Sequence, residues 1–345
     1  MSITPAGRRI ALSIALLAAA CSGAPARRLL VERTKVAMGS ELRLAAWAAD
    51  HAAAVAAFES VFREFDRLDA LMTVWRNDSD VSRMNAMAGK QAVPVSADTL
   101  EVLAAAAEAG AWTGGKFDIT FGALADVWKF DHDQDNTVPD RKAIEARLPL
   151  VDYTAVRIDR AAGTAFITRP GARVHLGGIG KGYAVDRAMA LLRARGLTDF
   201  LIQAGGDLYV SGMNDGRPWK LGINDPRGTA GRAFATVELT NATLSTSGDY
   251  ERFFMKDGRR YHHLIDPDRG EPARGCRSVT IVADRAMLAD ALSTGVFVLG
   301  PTDGMALVEK LPGVEAVIVS AANDVLISSG LRGNVTILAK PTDGQ

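Results

Sequence analysis

Residues 176–186 have the sequence LGGIGKGYAVD, in which a glycine-rich turn leads into a predicted helix. Turns of this kind begin two common nucleotide-binding folds, so the spacing of the glycines tests for both. A Walker A loop requires glycine five residues before Gly180 and serine or threonine directly after Lys181. His175 and Gly182 stand at those positions, so this stretch is not a Walker A loop.

The Rossmann fingerprint fails on the same stretch. Gly178 and Gly180 have the spacing of its first two glycines, but Tyr183 takes the place of the third. What remains is a glycine-rich helix start, whose free N–H groups and positive end allow a phosphate to approach closely. Lys181 adds a positive charge at the same place. The alternative interpretation is a turn whose glycines serve close packing only.

The regions on either side of this turn contain helices and strands without a regular strand–helix–strand rhythm. Apolar residues recur at steps of three and four over residues 51–72, which predicts an amphipathic helix. Asp98 with Glu101 is typical of a capping box and predicts the start of a second helix, which ends at residues 114–115. We therefore predict an α+β fold, with mixed sheets and packed helices. The other predicted elements are helices at 183–195 and 287–299, and strands at 29–36, 41–48, 200–203, 208–210, 219–223, 234–239, 314–319 and 325–328.

The composition excludes several classes of protein. Of the 345 residues, 48% are hydrophobic and 23% are charged, which excludes a disordered or collagen-like chain. Lys plus Arg and Asp plus Glu number 40 each, so no overall positive charge indicates nucleic acid or an acidic lipid surface as a partner. The two cysteines, Cys21 and Cys276, are too few for a disulfide-stapled miniprotein or a cysteine-rich metal cluster.

The first 20 residues have the pattern of an export signal. Arg8-Arg9 precede an apolar run that ends at Ala20, and this run is too short to span a bilayer as a helix. The sequence Leu-Ala-Ala-Ala-Cys ending at Cys21 resembles the lipobox of bacterial lipoproteins, in which the cysteine is lipidated after cleavage. We expect a signal peptide at 1–20, a linker at 21–28, one folded domain at 29–341, and a periplasmic location with a lipid anchor on Cys21. Two alternatives are an ordinary cleaved signal and twin-arginine export.

Asp290 and Thr294 lie four residues apart on a predicted helix, so their side chains share one face. Carboxylate and hydroxyl oxygens are hard ligands of the type that Mg²⁺ prefers. Aspartate and threonine four residues apart more often lie on a solvent-exposed helix face than in a metal site. The neighbouring residues are apolar, however, which makes an unpartnered buried Asp290 costly.

Residues 261–267 have the sequence YHHLIDP. Adjacent strand residues point to opposite faces, so at most one of His262 and His263 enters a given site. A lone histidine is usually a satisfied polar residue, and no spaced third ligand indicates zinc.

Eight short blocks, in order along the chain, match one family. They are Met38–Ser40, Met72–Trp75 with Asp78–Ser82, Phe117–Gly122, Leu176–Asp186, Gly205–Leu208, Ser245–Tyr250, His263–Pro267 and Ala289–Thr294. These blocks resemble the FAD:protein FMN transferases, the ApbE family, formerly called thiamine biosynthesis lipoproteins. Eight blocks in register are far more specific than any one of them.

The resemblance implies an α+β fold with FAD in a cleft and Mg²⁺ against its pyrophosphate. It places the metal on the side chains of Asp290 and Thr294 and the carbonyl of Gly178, and it makes His263 the catalytically important histidine. The family often has aspartate where this chain has His175, which leaves that flavin contact open. The residues that the resemblance places against FAD are Met38, Trp75, Lys116, Phe117, Asp118, His175, Lys181 and Ile265.

The family transfers FMN from FAD to a threonine or serine hydroxyl of a target flavoprotein and releases AMP, so FAD is a co-substrate. Removal of the hydroxyl proton suits a histidine of near-neutral pKa, which we assign to His263, although a water or a carboxylate is an alternative. Two other functions remain open: an FAD pyrophosphatase that gives FMN and AMP, and a flavin-binding lipoprotein without turnover. We expect FAD and an acceptor flavoprotein as partners, no nucleic acid, and membrane attachment only through the lipid.

Overall fold

The computed structural model describes residues 1–2, 28–131 and 133–344. The predicted signal peptide beyond its first two residues, Cys21 and the linker up to residue 27 lie outside the described residues. Within the described ranges, no helix combines the length and apolar character needed to cross a bilayer. The helices are α1 (His51–Met72), α2 (Asp80–Ala86), α3 (Ala97–Trp112), α4 (Arg141–Arg147), α5 (Gly180–Ala194), α6 (Ala286–Leu299) and α7 (Pro301–Val308).

Most of the strands lie where apolar residues alternate or run together between turns. They are β1 (Leu29–Ala37), β2 (Ser40–Ala48), β3 (Val93–Pro94), β4 (Val156–Asp159), β5 (Thr164–Ile167), β6 (Phe200–Ala204), β7 (Asp207–Ser211), β8 (Trp219–Asn224), β9 (Ala233–Leu239), β10 (Ala242–Gly248), β11 (Phe253–Lys256), β12 (Arg259–His262), β13 (Ile265–Asp266), β14 (Glu271–Pro272), β15 (Cys276–Ala283), β16 (Glu315–Ser320), β17 (Val325–Ile327) and β18 (Val335–Ile337).

Eight of these strands form one sheet in the order β1-β2-β6-β7-β10-β15-β16-β17. Every neighbouring pair in it is antiparallel. A second sheet has the order β18-β9-β8. Antiparallel sheets with helices packed on one side confirm the predicted α+β class.

The large sheet is the middle layer of the domain. Leu44 and Ile202 point to one face, where they pack into a core built with α1 and α5. Their neighbours Ala45 and Leu201 point to the other face and pack against β8 and β9. Side chains alternate between faces along a strand, so one sheet supplies both cores. Helix α6 covers β10 and β15 and also packs on α5.

The predicted capping box of α3 is wrong. The helix begins at Ala97, and its N-cap is Ser96, whose hydroxyl accepts a hydrogen bond from the N–H of Thr99 at 3.1 Å. The carboxylate of Asp98 is used elsewhere, because it accepts from Arg67 and, at 2.7 Å, from the hydroxyl of Tyr183 on α5. Serine and aspartate are both favourable N-cap residues. Ser96 caps α3 here, and the Asp98 carboxylate binds Tyr183 on α5 instead.

Candidate active site

A single large cleft of about 1140 Å³ brings the predicted site residues together. Its walls come from the β1–β2 turn, the end of α1, the segment after α3, the start of α5, the β6–β7 turn, the face of α6 and the segment after β12. All twelve residues predicted from the sequence line it. They are Met38, Trp75, Lys116, Phe117, Asp118, His175, Gly178, Lys181, His263, Ile265, Asp290 and Thr294.

The first turn of α5 lies directly on α6 at the bottom of this cleft. The helix begins at Gly180, three residues earlier than predicted. A Cβ atom on Gly182 would lie 2.3 Å from the carbonyl oxygen of Ala286, closer than any side chain tolerates. The N–H of Gly182 donates to Oδ2 of Asp290 at 2.9 Å. The chain therefore has glycine here because α5 and α6 touch through their backbones.

We expect Gly182→Ala to destabilise the fold by about 2 kcal/mol or more, since the added methyl group meets main-chain atoms that cannot move aside. Gly180→Ala is the matched control, because a Cβ at Gly180 meets no atom closer than 3.8 Å and alanine favours a helix. The measurement is urea unfolding of both variants and the wild type. Equal midpoints for Gly182→Ala and the wild type would contradict the backbone contact.

A buried cluster of three charges follows this helix start. Nζ of Lys181 lies 2.6 Å from Oδ2 of Asp207 and 4.0 Å from Oδ2 of Asp290. The two carboxylate side chains are only 3% and 5% exposed. Burial lowers the pKa of Lys181, but both carboxylates outweigh this and raise its pKa, so the ammonium stays charged. With both acids ionised, the two acids and one base carry one net negative charge, a state that a bound cation would favour.

Thr294 adds a neutral oxygen one helical turn from Asp290. Its Oγ1 lies 3.2 Å from Oγ of Ser247, and a Cβ on Gly178 would lie 3.4 Å from it. Burial and the negative charge of Asp207 raise the pKa of Asp290 above its usual value, a penalty that a nearby cation would relieve. Carboxylate, hydroxyl and carbonyl oxygens suit Mg²⁺. Across the described residues no group of three or more His, Cys, Asp or Glu side chains has metal-binding geometry.

The two neighbouring histidines separate as predicted. His262 ends β12 and is buried, with Nε2 2.8 Å from the carbonyl of Ala273 and Nδ1 accepting from the N–H of Leu264 at 3.3 Å. Burial lowers the pKa of His262 to about 4, so it is a neutral structural group. His263 lines the cleft instead.

The ring of His263 is held by the main chain. Its Nδ1 lies 3.3 Å from the carbonyl oxygen of Arg252, which accepts only, so Nδ1 carries the hydrogen and Nε2 is left as the acceptor. Burial first, and then the charge of Arg252, lower the pKa of His263 well below 6.5. The imidazole is therefore neutral at pH 7 and can accept a proton.

Lys116 and Asp118, two of the predicted flavin contacts, bind other residues of the cleft walls. Nζ of Lys116 lies 2.8 Å from carboxylate oxygens of both Asp266 and Asp268, which ties its segment to the one after β12. The carboxylate of Asp118 accepts from the N–H and hydroxyl of Thr120 and from the N–H of Tyr153 at 2.6–2.8 Å. The Asp118 carboxylate therefore accepts hydrogen bonds from residues of the same wall of the cleft.

His175 also has a local partner. Its Nδ1 accepts from the N–H of Gly177 at 3.0 Å, and burial lowers its pKa, so the ring is neutral. A carboxylate two residues before that N–H would accept in the same way. The imidazole of His175 therefore supplies the same hydrogen-bond acceptor for the glycine turn that an aspartate would supply.

Apolar side chains stand at the other walls of the cleft. Met38 and Gly39 form the two-residue turn between β1 and β2, both with positive φ (48° and 71°). Phe117 and Ile265 are buried, whereas Trp75 lines the cleft and is 57% exposed. An exposed indole beside buried apolar groups provides a stacking surface for a planar ring.

Asp207 and Ser247 make contacts in the site that no sequence motif indicated. Asp207 holds Lys181 and accepts from the hydroxyl of Ser245, and Ser247 contacts Thr294. Both residues belong to family-like blocks, but only the pairing of β7 with β10 brings them beside α6. The sequence feature that could have indicated Asp207 is its position directly after Gly205-Gly206, which places a carboxylate at the end of a turn.

Known proteins of one family are similar to this chain in sequence and in structure. The sequence profile of the ApbE family matches residues 38–318. The chain is 33% identical to an FAD:protein FMN transferase of Treponema pallidum over 96% of both chains, and 34% identical to one of Klebsiella pneumoniae over 79% of both. The crystal structure of the ApbE protein from Thermotoga maritima superposes with a TM-score of 0.82 at 32% identity, covering 89% of this chain and 99% of that one. The chain therefore belongs to the ApbE family.

Proposed function

We propose that this protein is an FAD:protein FMN transferase that moves FMN from FAD to a threonine or serine hydroxyl of an acceptor flavoprotein and releases AMP. The observation that carries this proposal is the buried Lys181–Asp207–Asp290 cluster in the same cleft as the neutral His263. The names of the relatives support the same activity.

The reaction breaks the phosphoanhydride bond of FAD and forms a phosphoester bond to the acceptor. The acceptor oxygen attacks the FMN-side phosphorus of FAD, and the bond from that phosphorus to the bridging oxygen breaks. AMP leaves with the bridging oxygen and its electron pair. The hydroxyl proton passes to Nε2 of His263, which is neutral because its pKa is lowered. We assign this proton transfer to His263, with Nδ1 anchored on the Arg252 carbonyl so that the ring keeps one orientation.

We further propose that Asp290, Thr294 and the carbonyl of Gly178 hold Mg²⁺, which when bound offsets the negative charge of the pyrophosphate. Lys181 stays protonated between its two carboxylates and supplies a second positive charge at the start of α5. The positive end of that helix faces the same region. In phosphoryl transfer most of the catalysis comes from such positioning and charge neutralisation.

Mass spectrometry tests the activity. The mature protein is incubated with FAD, Mg²⁺ and an acceptor domain, beside an acceptor whose threonine is replaced by valine. We expect the threonine acceptor alone to gain the mass of one FMN group while AMP appears in equal amount. AMP without that gain would mean a pyrophosphatase, and neither product would mean a flavin-binding protein without turnover.

We also propose that the protein is exported and anchored in a bacterial membrane through a lipid on Cys21. The support is the lipobox-like sequence before Cys21. Cys21→Ser should move the protein from the membrane fraction to the soluble periplasmic extract, because acylation would lose its attachment atom. Immunoblots of the two fractions measure this, and unchanged membrane association would favour an uncleaved anchor.

A further inference from the structure

A second cavity lies on the other side of β12 from the cleft. Its volume is about 330 Å³, and His262 lines it whereas His263 lines the cleft. This volume corresponds to roughly ten water molecules, far more than a single ion requires. Among the described residues that line it, one carboxylate, Asp249, faces five arginines: Arg227, Arg259, Arg260, Arg274 and Arg277.

The carboxylate of this cavity is already neutralised. Arg227 donates to both oxygens of Asp249, at 2.7 Å each, and both side chains are only 9% exposed. Nε of Arg227 is also buried and has no hydrogen-bond acceptor within the part of the chain that the structure describes. This ion pair leaves no carboxylate among the described lining residues to offset the other arginines.

The other arginines add positive charge. Arg259, Arg274 and Arg277 have no carboxylate within 4.0 Å among residues 28–131 and 133–344, and Arg277 donates only to the neutral oxygens of Asn323 and Thr342, both at 3.1 Å. The guanidinium of Arg260 lies 3.9 Å from the centre of the Phe253 ring. Burial, and after it the charge of Arg227, lower the pKa of Arg260.

We propose that this cavity binds a small phosphate ester as a second ligand, separate from FAD. Guanidinium groups match phosphate oxygens in paired hydrogen bonds, and several of them around one space compensate the two negative charges of a phosphate monoester. The remaining volume accommodates the organic part of the ester. This inference does not depend on the proposed function, because none of the cavity's lining residues lines the cleft.

Calorimetry tests the proposal with glycerol 3-phosphate as the probe. The mature protein is titrated at constant ionic strength with excess FAD present, so that the phosphate-binding groups of the cleft are occupied. We expect saturable binding of one molecule per chain. Arg259→Gln/Arg274→Gln should weaken it at least tenfold, since both side chains are exposed and line the cavity. Arg195→Gln, an exposed arginine outside both cavities, should bind as the wild type does.

Three results would overturn the proposal: no saturable binding, equal affinity in the double variant, or inorganic phosphate binding as tightly as the ester. Thermal unfolding of the double variant checks that it is folded. Repeating the titration without FAD on Lys181→Ala separates this inference from the proposed function. Binding of the probe should persist in Lys181→Ala, because Lys181 belongs to the cleft alone, and its loss there would assign the probe to the cleft.

Discussion

Asp290→Ala is expected to lower FMN transfer by roughly a thousandfold or more, because a metal ion's charge stabilisation contributes several kcal/mol to such reactions. The side chain supplies the charged ligand of the proposed Mg²⁺ site and is buried beside Lys181. The fold should survive, because Lys181 keeps its ion pair with Asp207 at 2.6 Å. Single-turnover transfer across a series of Mg²⁺ concentrations is the measurement.

Two further variants make this prediction specific. Asp290→Asn keeps an acceptor for the N–H of Gly182 but removes the charge, so it should be nearly as inactive as the alanine variant. Asp303→Asn changes an exposed carboxylate on α7 and should leave the rate unchanged. Transfer by Asp290→Ala near the wild-type rate at low Mg²⁺ would refute the metal assignment.

His263→Ala should slow FMN transfer about 10²- to 10⁴-fold, the usual loss for a general base. FAD affinity should stay within roughly tenfold of the wild type, because the lost group acts on the proton of the acceptor. Transfer is measured in single turnovers and FAD binding by tryptophan fluorescence, since Trp75 lines the cleft. If the variant stayed fast, the proton would leave by another route, and His263 would have a flavin-orienting or structural role.

His262→Ala is the matched control on the opposite face. Its ring makes two hydrogen bonds away from the cleft, so we expect lower thermal stability but a near wild-type transfer rate per folded molecule. If His262→Ala were instead the slower enzyme, the assignment of the two histidines would be reversed.

The pH dependence gives a separate check on His263. Its lowered pKa means that the imidazole is already neutral at pH 6.5, so at saturating Mg²⁺ the ionisation of His263 should not change the transfer rate from there upward. His263 should slow transfer only as the pH drops through its lowered pKa, where the ring becomes protonated and cannot accept a proton. A midpoint at or above pH 6.5 that disappears in His263→Ala would contradict the burial-lowered pKa.

Much of the fold could be predicted because its signals are local. The helix predicted from the three-and-four spacing over residues 51–72 is confirmed as α1. The predicted strand pair at 314–319 and 325–328 is confirmed as β16 and β17. Short-range geometry also succeeded within the site. Asp290 and Thr294 share a helix face because they are four residues apart, and His262 and His263 diverge because they are neighbours at a strand end.

The sequence by itself determined the α+β class, which follows from local periodicity, and the family, which follows from short blocks in a fixed order. The twelve residues that meet in one cleft were implied by the resemblance to that family. Only the tertiary structure decided which contacts each residue makes there. It places Asp207 on Lys181, leaves Ser96 to cap α3 because Asp98 reaches α5, and requires glycine at 182 because two helices touch through their backbones. It also gathers five arginines around a second cavity. Such contacts join residues far apart in the chain, and they depend on the order in which the strands pair and on which faces the packed layers bury.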